Sequence, residues 1–121
     1  MVKVLVVDDS PSEMARFREI LGKNDFEIIE ASNGEQGCQL AEEHLPDVVL
    51  MDVVMPEMNG FQATRKITRG KQTSHIPVVI ISTKNQETDR VWGKRQGAKD
   101  YLTKPVDEKE LMQVIQSVMT A

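Results

Sequence analysis

A single cysteine, Cys38, stands in the chain, so no internal disulfide and no zinc site built on several thiolates can form. That usage suits a reducing compartment, and a cytoplasmic location is the expectation. Cys38 itself fits the role of a small buried residue better than a redox role. Positive charge is also short. Fifteen Lys and Arg against nineteen Asp and Glu leave a net charge of −4, whereas binding to a nucleic-acid backbone relies on an excess of cations gathered on one face. No nucleic-acid partner is expected. No apolar run approaches the roughly 18 residues of a membrane span. The run after Met1, Val2 and Lys3 is too short for a signal-peptide core and lacks a small-residue cleavage site. No membrane partner is expected. Repeats, low-complexity tracts and linkers are missing too. With about 100 to 200 residues to a domain, the expectation is one domain over residues 1–121 with no output domain. The composition, 40% hydrophobic and 28% charged, is that of a globular protein able to bury a core.

Three continuous apolar runs rich in β-branched residues are present: Val4 to Val7, Val48 to Met51 and Val78 to Ile81. Such runs mark strands buried on both faces, which favours a parallel sheet. Glu27 to Glu30 and Asp100 to Thr103 fit two weaker strands at the edges. Helical patterns lie between them. Ser10, Pro11, Ser12 and Glu13 read as a capping box with proline at the first helical position, followed by Met14, Phe17 and Leu21, and Gly22 is placed to end that helix. Asn33 caps a second helix with the apolar line Cys38, Ala41 and Leu45, stopped by Pro46. A third starts near Asn59 and Gly60 and carries Phe61, Thr64 and Ile67. A fourth covers about 86–96. The fifth has Asp107 and Glu110 as a capping pair and the stripe Leu111, Val114, Ile115 and Val118, and runs almost to Ala121. Strict βα alternation implies right-handed crossovers with helices on both sheet faces. The predicted fold is α/β, a doubly wound five-stranded parallel sheet in the order 2-1-3-4-5, flavodoxin-like, with five helices. In that order strands 1 and 3 meet at the topological switch point, where ligands bind outside the carboxyl ends of the strands.

Asp8 and Asp9 follow the first run and Asp52 follows the third strand, so all three carboxylates converge at that crevice. Carboxylates so crowded repel one another unless a cation or a proton intervenes, and hard oxygen ligands with room for water suit Mg²⁺. Asp9 and Asp52 are the candidates for direct metal ligands, with Asp8 acting directly or through a water. The backbone carbonyl of Val54 completes the shell. The competing reading, that acidic residues after strands cap turns, serves Asp8 alone but not three converging acids. Beside a divalent cation, the Asp52 carboxylate is also suited to attack a phosphoryl donor and become an aspartyl-phosphate. Lys104 follows the fifth strand and supplies a mobile point charge for a phosphoryl oxygen. Pro105 cannot extend the strand and suits a cis bond that aims the lysine inward. Ser82 and Thr83, at the end of strand 4, offer hydroxyls to a phosphoryl group. Taken singly, either is more commonly a helix or turn cap. His44 and His75 lie near segment ends without partners spaced for metal binding and read as solvated residues.

The segments VLVVDDS at 4–10, DVVLMD and VVMPEMNG at 47–60, PVVIIST at 77–83 and GAKDYLTKP at 97–105 together resemble the CheY-like receiver domain of two-component response regulators. The resemblance covers the whole chain. The stretch STKNQETDRVWGKRQGAKDYLTKPVDE is further similar to single-domain regulators of chemotaxis-like systems that control type IV pili and twitching motility. The resemblance implies Mg²⁺-dependent phosphotransfer to Asp52 from a CheA-like histidine kinase or its phosphotransfer domain. Asp8 and Asp9 then correspond to the acidic metal pair, Ser82 to the switch hydroxyl, Lys104 to the phosphate-contacting lysine and Tyr101 to the rotameric aromatic. Phosphorylation would draw Ser82 inward and let Tyr101 turn in, a population shift that reshapes the face of helix 4, strand 5 and helix 5. A static, half-exposed Tyr101 is the alternative. The chain is then no enzyme beyond promoting its own phosphorylation and dephosphorylation. Its output is either docking onto a pilus-motor or regulatory protein, or draining phosphoryl groups from a shared kinase.

Several positions depart from the family pattern. Thr83 is bulkier than the usual small residue. Val54 and Lys84 stand where polar or acidic side chains often orient the hydrolytic water, so a longer phosphoryl lifetime is expected. Trp92, the sole tryptophan, is either a partner anchor or packed on a neighbouring helix. Two other classes compete. A haloacid dehalogenase-type phosphatase needs a second Asp at the position of Val54. A flavin-binding module needs a phosphate-cradling loop where Asp8 and Asp9 stand.

Overall fold

Alternate residues of the central strands enter two separate cores, and this division explains why the apolar runs show no polar positions. A computed structural model describes residues 1–120. Five strands, β1 (Lys3–Val7), β2 (Glu27–Ala31), β3 (Val48–Met51), β4 (Val78–Ser82) and β5 (Asp100–Thr103), alternate with five helices, α1 (Pro11–Lys23), α2 (Gly34–His44), α3 (Gly60–Arg69), α4 (Glu87–Arg95) and α5 (Glu108–Thr120). All pairings are parallel and the order is β2-β1-β3-β4-β5, as the alternation predicts. Leu5, Val7, Val49, Met51, Val78 and Ile80 meet residues of α2 and α3 on one face. Val4, Val6, Val48, Leu50, Val79 and Ile81 meet Met14, Phe17 and Leu21 of α1 and Leu111 and Ile115 of α5 on the other. Each such aliphatic side chain contributes about 1.5–3 kcal/mol by leaving water. Cys38 is buried, its thiol 3.7 Å from the Ala63 carbonyl, and burial raises its pKa above the ordinary thiol value. No helix among the described residues is long and apolar enough to cross a membrane.

Several helix ends differ from the expected ones. Ser10 Oγ accepts from the Glu13 N–H at 3.3 Å, but the Ser10 N–H is taken by Asp8 Oδ1 at 2.9 Å, so Glu13 does not close a capping box. α1 runs past Gly22 to Lys23. Asn24 caps it through Nδ2 on the Ile20 carbonyl at 2.8 Å, and the left-handed turn falls on Asp25 at φ 62°. Leu45 does not join the core line of α2. Pro46 cannot continue the helix, the chain turns left-handed at Leu45, φ 45°, and its side chain is 48% exposed. At α3 the full box forms, Asn59 and Gln62 each bonding the other's backbone N–H. In α5, Leu111 and Ile115 are buried while Val114 and Val118 are only partly so.

Candidate functional site

The sheet ladders continue one step past the strand ends, and that extension assembles the site. The Asp8 N–H donates to the Ala31 carbonyl at 3.0 Å, the Asp52 N–H to the Val7 carbonyl at 2.9 Å, and the Lys104 N–H to the Ser82 carbonyl at 2.9 Å. Asp8 and Asp52 therefore leave adjacent strands at the same height, and Lys104 arrives from across β4. The carboxylates of Asp8, Asp9 and Asp52 offer oxygens within 4.8 Å of one another. Asp8 and Asp52 are buried, whereas Asp9 is exposed. Lys104 Nζ donates to Asp8 Oδ2 at 2.8 Å and to Asp52 Oδ1 at 3.3 Å, its side chain only 8% exposed. The peptide bond between Lys104 and Pro105 is cis.

Electrostatics at this point are unbalanced. Three carboxylates face one ammonium, which leaves negative charge in a place that burial has largely stripped of water. Burial pushes the Asp52 carboxyl up to about 6, with Lys104 pulling down and the Asp8 charge pushing further up. For Lys104, burial acts to lower the pKa, but the Asp8 hydrogen bond and the Asp52 charge outweigh it and hold the ammonium above its ordinary value. A hard-oxygen donor set with two buried carboxylates and a water-facing third fits a divalent cation of the Mg²⁺ kind, which keeps part of its hydration shell. The Val54 carbonyl, the fourth expected ligand, accepts no hydrogen bond among the described residues. Its side chain is 58% exposed.

Around the acids, β4 and β5 bring up the remaining polar groups. Ser82 ends β4 fully buried, its Oγ accepting from the Lys84 N–H at 3.1 Å. Thr83 faces solvent. Tyr101 pairs with Ile80 in the register and is 2% exposed, so it is not the half-exposed strand residue of the alternative reading. Its hydroxyl donates to the Lys84 carbonyl at 2.7 Å. The ring is thus already inward in the chain alone, and burial raises its pKa. Lys84 is exposed and lies 4.0 Å from Asp89. Trp92 is half-exposed on α4 and not packed away. His44 and His75 are exposed.

Two contributors escape the sequence. Arg90 on α4 donates to the Tyr101 carbonyl at 3.0 Å and to Thr103 Oγ1 at 2.9 Å, with its guanidinium 5.3 Å from the Tyr101 ring centre. Nothing local marks it among the exposed charges of α4. Gly60 was legible only as a helix start. A Cβ there would stand 1.9 Å from the Asp52 carbonyl oxygen, so glycine is what lets α3 begin against the backbone of the site.

Comparison with known proteins agrees with this geometry. Residues 4–116 match the response regulator receiver domain. The chain is 56% identical over 119 residues to Protein PilH of Pseudomonas aeruginosa, covering 98% of each. It superimposes on the chemotaxis protein CheY4 of Vibrio cholerae with a TM-score of 0.91 at 30% identity, covering 98% of each chain. It also matches the receiver domain of a sensor histidine kinase of Pseudomonas aeruginosa, whose structure has a magnesium ion coordinated in the active site cleft, with a TM-score of 0.92 at 26% identity over 99% of this chain and 98% of that one. With a family match across nearly its whole length, the chain belongs to the response regulator receiver domains.

Proposed function

We propose that Asp52 accepts a phosphoryl group from the phosphohistidine of a CheA-like histidine kinase or its phosphotransfer domain, and that the phosphorylated chain signals through protein contacts. The observation that carries this reading is Lys104 Nζ bridging Asp8 and Asp52 at 2.8 and 3.3 Å inside the three-acid cluster. An Asp52 carboxylate oxygen attacks phosphorus, the phosphorus–nitrogen bond to the histidine breaks, and the imidazole leaves with the electron pair. Bound Mg²⁺ would be held by Asp9, Asp52, the Val54 carbonyl and Asp8, directly or through water, and would offset the charge gathering on the phosphoryl oxygens. Lys104 follows its charge partner, moving from the carboxylate of Asp52 to a phosphoryl oxygen. Ser82 Oγ turns to donate a hydrogen bond to a second phosphoryl oxygen and releases the Lys84 N–H that it holds in the unphosphorylated chain, and Thr83 stands beside it at the rim.

The output face is that of α4, β5 and α5. Because Tyr101 is already inward, the switch in this chain runs through Ser82 and the 82–84 backbone, with Tyr101 following by its bond to the Lys84 carbonyl. Val54 occupies the place where a phosphatase of the haloacid dehalogenase type carries its second Asp, so turnover of external substrates is not part of the proposal. A chemotaxis-like pathway for type IV pili and twitching motility is the biological setting. It is supported by the likeness to PilH over 98% of both chains, and the cytoplasm is the matching compartment. The test is transfer from a phosphorylated histidine phosphotransfer domain in Mg²⁺. Wild type takes up the group, whereas Asp52→Asn and Asp9→Asn lose most of the uptake; transfer that proceeds equally in both variants contradicts the proposal.

A further inference from the structure

The opposite end of the sheet carries a charge pattern that the phosphotransfer site does not use. Two surface grooves share Arg69. One lies at the foot of β4 and β5 and is lined by Arg69, Arg95 and Lys99 with no carboxylate. The other follows α3 and is lined by Arg65, Lys66 and Arg69 with Glu42 as its one acid. These five cations are exposed and none of them forms an ion pair among the described residues. The chain as a whole has net charge −4, so five cations facing one acid is a local reversal of sign.

The bland account is that cations near helix C-termini complement the helix dipole. It covers Lys66 and Arg69 in the last turn of α3 and Arg95 in the last turn of α4. It does not cover Arg65, nor Lys99, which sits in the loop before β5. The scaffold under the cations is also fixed. Thr68 Oγ1 donates to the Gln96 carbonyl at 2.7 Å and ties the C-terminal end of α3 to that of α4, while Gly97 turns at φ 105° against Thr68.

We propose that this surface docks an acidic segment of a partner protein, one rich in Asp and Glu, and that it does so whether or not Asp52 is phosphorylated. Guanidinium forks suit carboxylates in bidentate pairs. The carbonyl-rich ends of α3 and α4 disfavour a compact, multiply charged phosphate at the centre of the groove, but leave the outer tips of the arginines open to carboxylates on an extended chain. Position decides the independence. Lys99 and Lys104 flank β5 on its two ends, five residues and about 16 Å apart at the rise of a parallel strand, so an occupant of the grooves leaves the acidic cluster free. The role is a constant tether that keeps the receiver near its assembly while the other end switches.

The test is a titration of the ¹⁵N-labelled full chain with an oligo-glutamate peptide, followed by amide shifts. Shifts are expected over 65–75 and 95–99, with none at Asp8, Asp52 or Ser82. The Kd should stay within about twofold in beryllofluoride and Mg²⁺, while Arg69→Glu with Arg95→Glu weakens binding by about tenfold, the worth of two exposed ion pairs. Lys109→Glu, on α5, should leave it unchanged. Arg65→Gln with Lys99→Gln serves as a second variant pair if the reversal disturbs folding. The proposal is overturned by an absence of shifts, by shifts spread over all Lys and Arg, by equal weakening from Lys109→Glu, or by tighter binding of a DNA duplex or phosphatidylserine vesicles. Peptide binding in unphosphorylated protein does not involve Asp52 chemistry, so failure here and failure of the phosphotransfer reading are separate results.

Discussion

Gly60 and Asp52 meet backbone to backbone: a single added carbon at Gly60 would lie 1.9 Å from the Asp52 carbonyl oxygen. The Gly60 N–H donates to the Val53 carbonyl at 2.9 Å, so the start of α3 and the acceptor loop cannot separate without losing that bond. Gly60→Ala is therefore expected to cost at least about 2 kcal/mol, in the upper part of the overpacking range, and to slow phosphoryl uptake. Urea melts and initial uptake rates check this. Stability and rate equal to wild type would contradict it.

The raised pKa of Asp52 carries a pH signature in the metal-free protein. The unfolded carboxyl titrates near 3.8 and the folded one near 6, so the folded state binds the proton more tightly. The contribution of Asp52 favours folding fully below about 4 and is lost as pH rises through 6. At pH 7.5 in chelator, Asp52→Asn is expected to be more stable than wild type, by up to about 3 kcal/mol. The gap should close toward pH 4. Added Mg²⁺ should recover stability in wild type only. A gap that widens on acidification contradicts the account.

Arg90 ties α4 to β5 through two hydrogen bonds and its position over Tyr101. Since the residue is largely exposed, Arg90→Ala should cost only about 1 kcal/mol. Uptake from a small acyl phosphate should stay within about twofold, because no bond at Asp52 is lost. The effect should appear instead in Tyr101 ring resonances and in the emission of Trp92, two residues along the same helix. Unchanged spectra would remove Arg90 as the link between α4 and β5.

Val54 is exposed beside the acceptor and has no group to orient a water. Val54→Asn adds one hydrogen-bonding partner near the phosphoryl group, worth about 1 kcal/mol and so about fivefold in the rate of dephosphorylation. Single-turnover decay of the phosphorylated variant tests this, and a decay no faster than wild type contradicts it.

How far these features were legible depends on their range in the chain. β1, β3 and β4 are legible as apolar runs because they are buried on both faces, whereas the partly exposed edge strands β2 and β5 and the sheet order follow from the βα alternation. Asp8, Asp9 and Asp52 are legible because they come directly after such runs. Lys104 is legible from its place directly after the short edge strand β5 and before Pro105, which cannot extend that strand. Helical spacing puts Leu45 on the core line of α2, but spacing alone cannot show that the turn before Pro46 carries it out to solvent. Residue type predicts a helix end at Gly22, but Asn24 makes the cap through Nδ2 on the Ile20 carbonyl and Asp25 makes the left-handed turn. The inward Tyr101 and its Arg90 cover join residues 11 apart across two elements, a distance over which pattern and propensity carry no signal.

Reaction of the protein with a small acyl phosphate, followed by mapping of the base-labile group, tests the central claim most directly. With Mg²⁺ a single phosphoryl group is predicted on Asp52, absent in chelator and absent from Asp52→Asn. Uptake that persists in Asp52→Asn, or that maps to another residue in the wild type, would contradict the account.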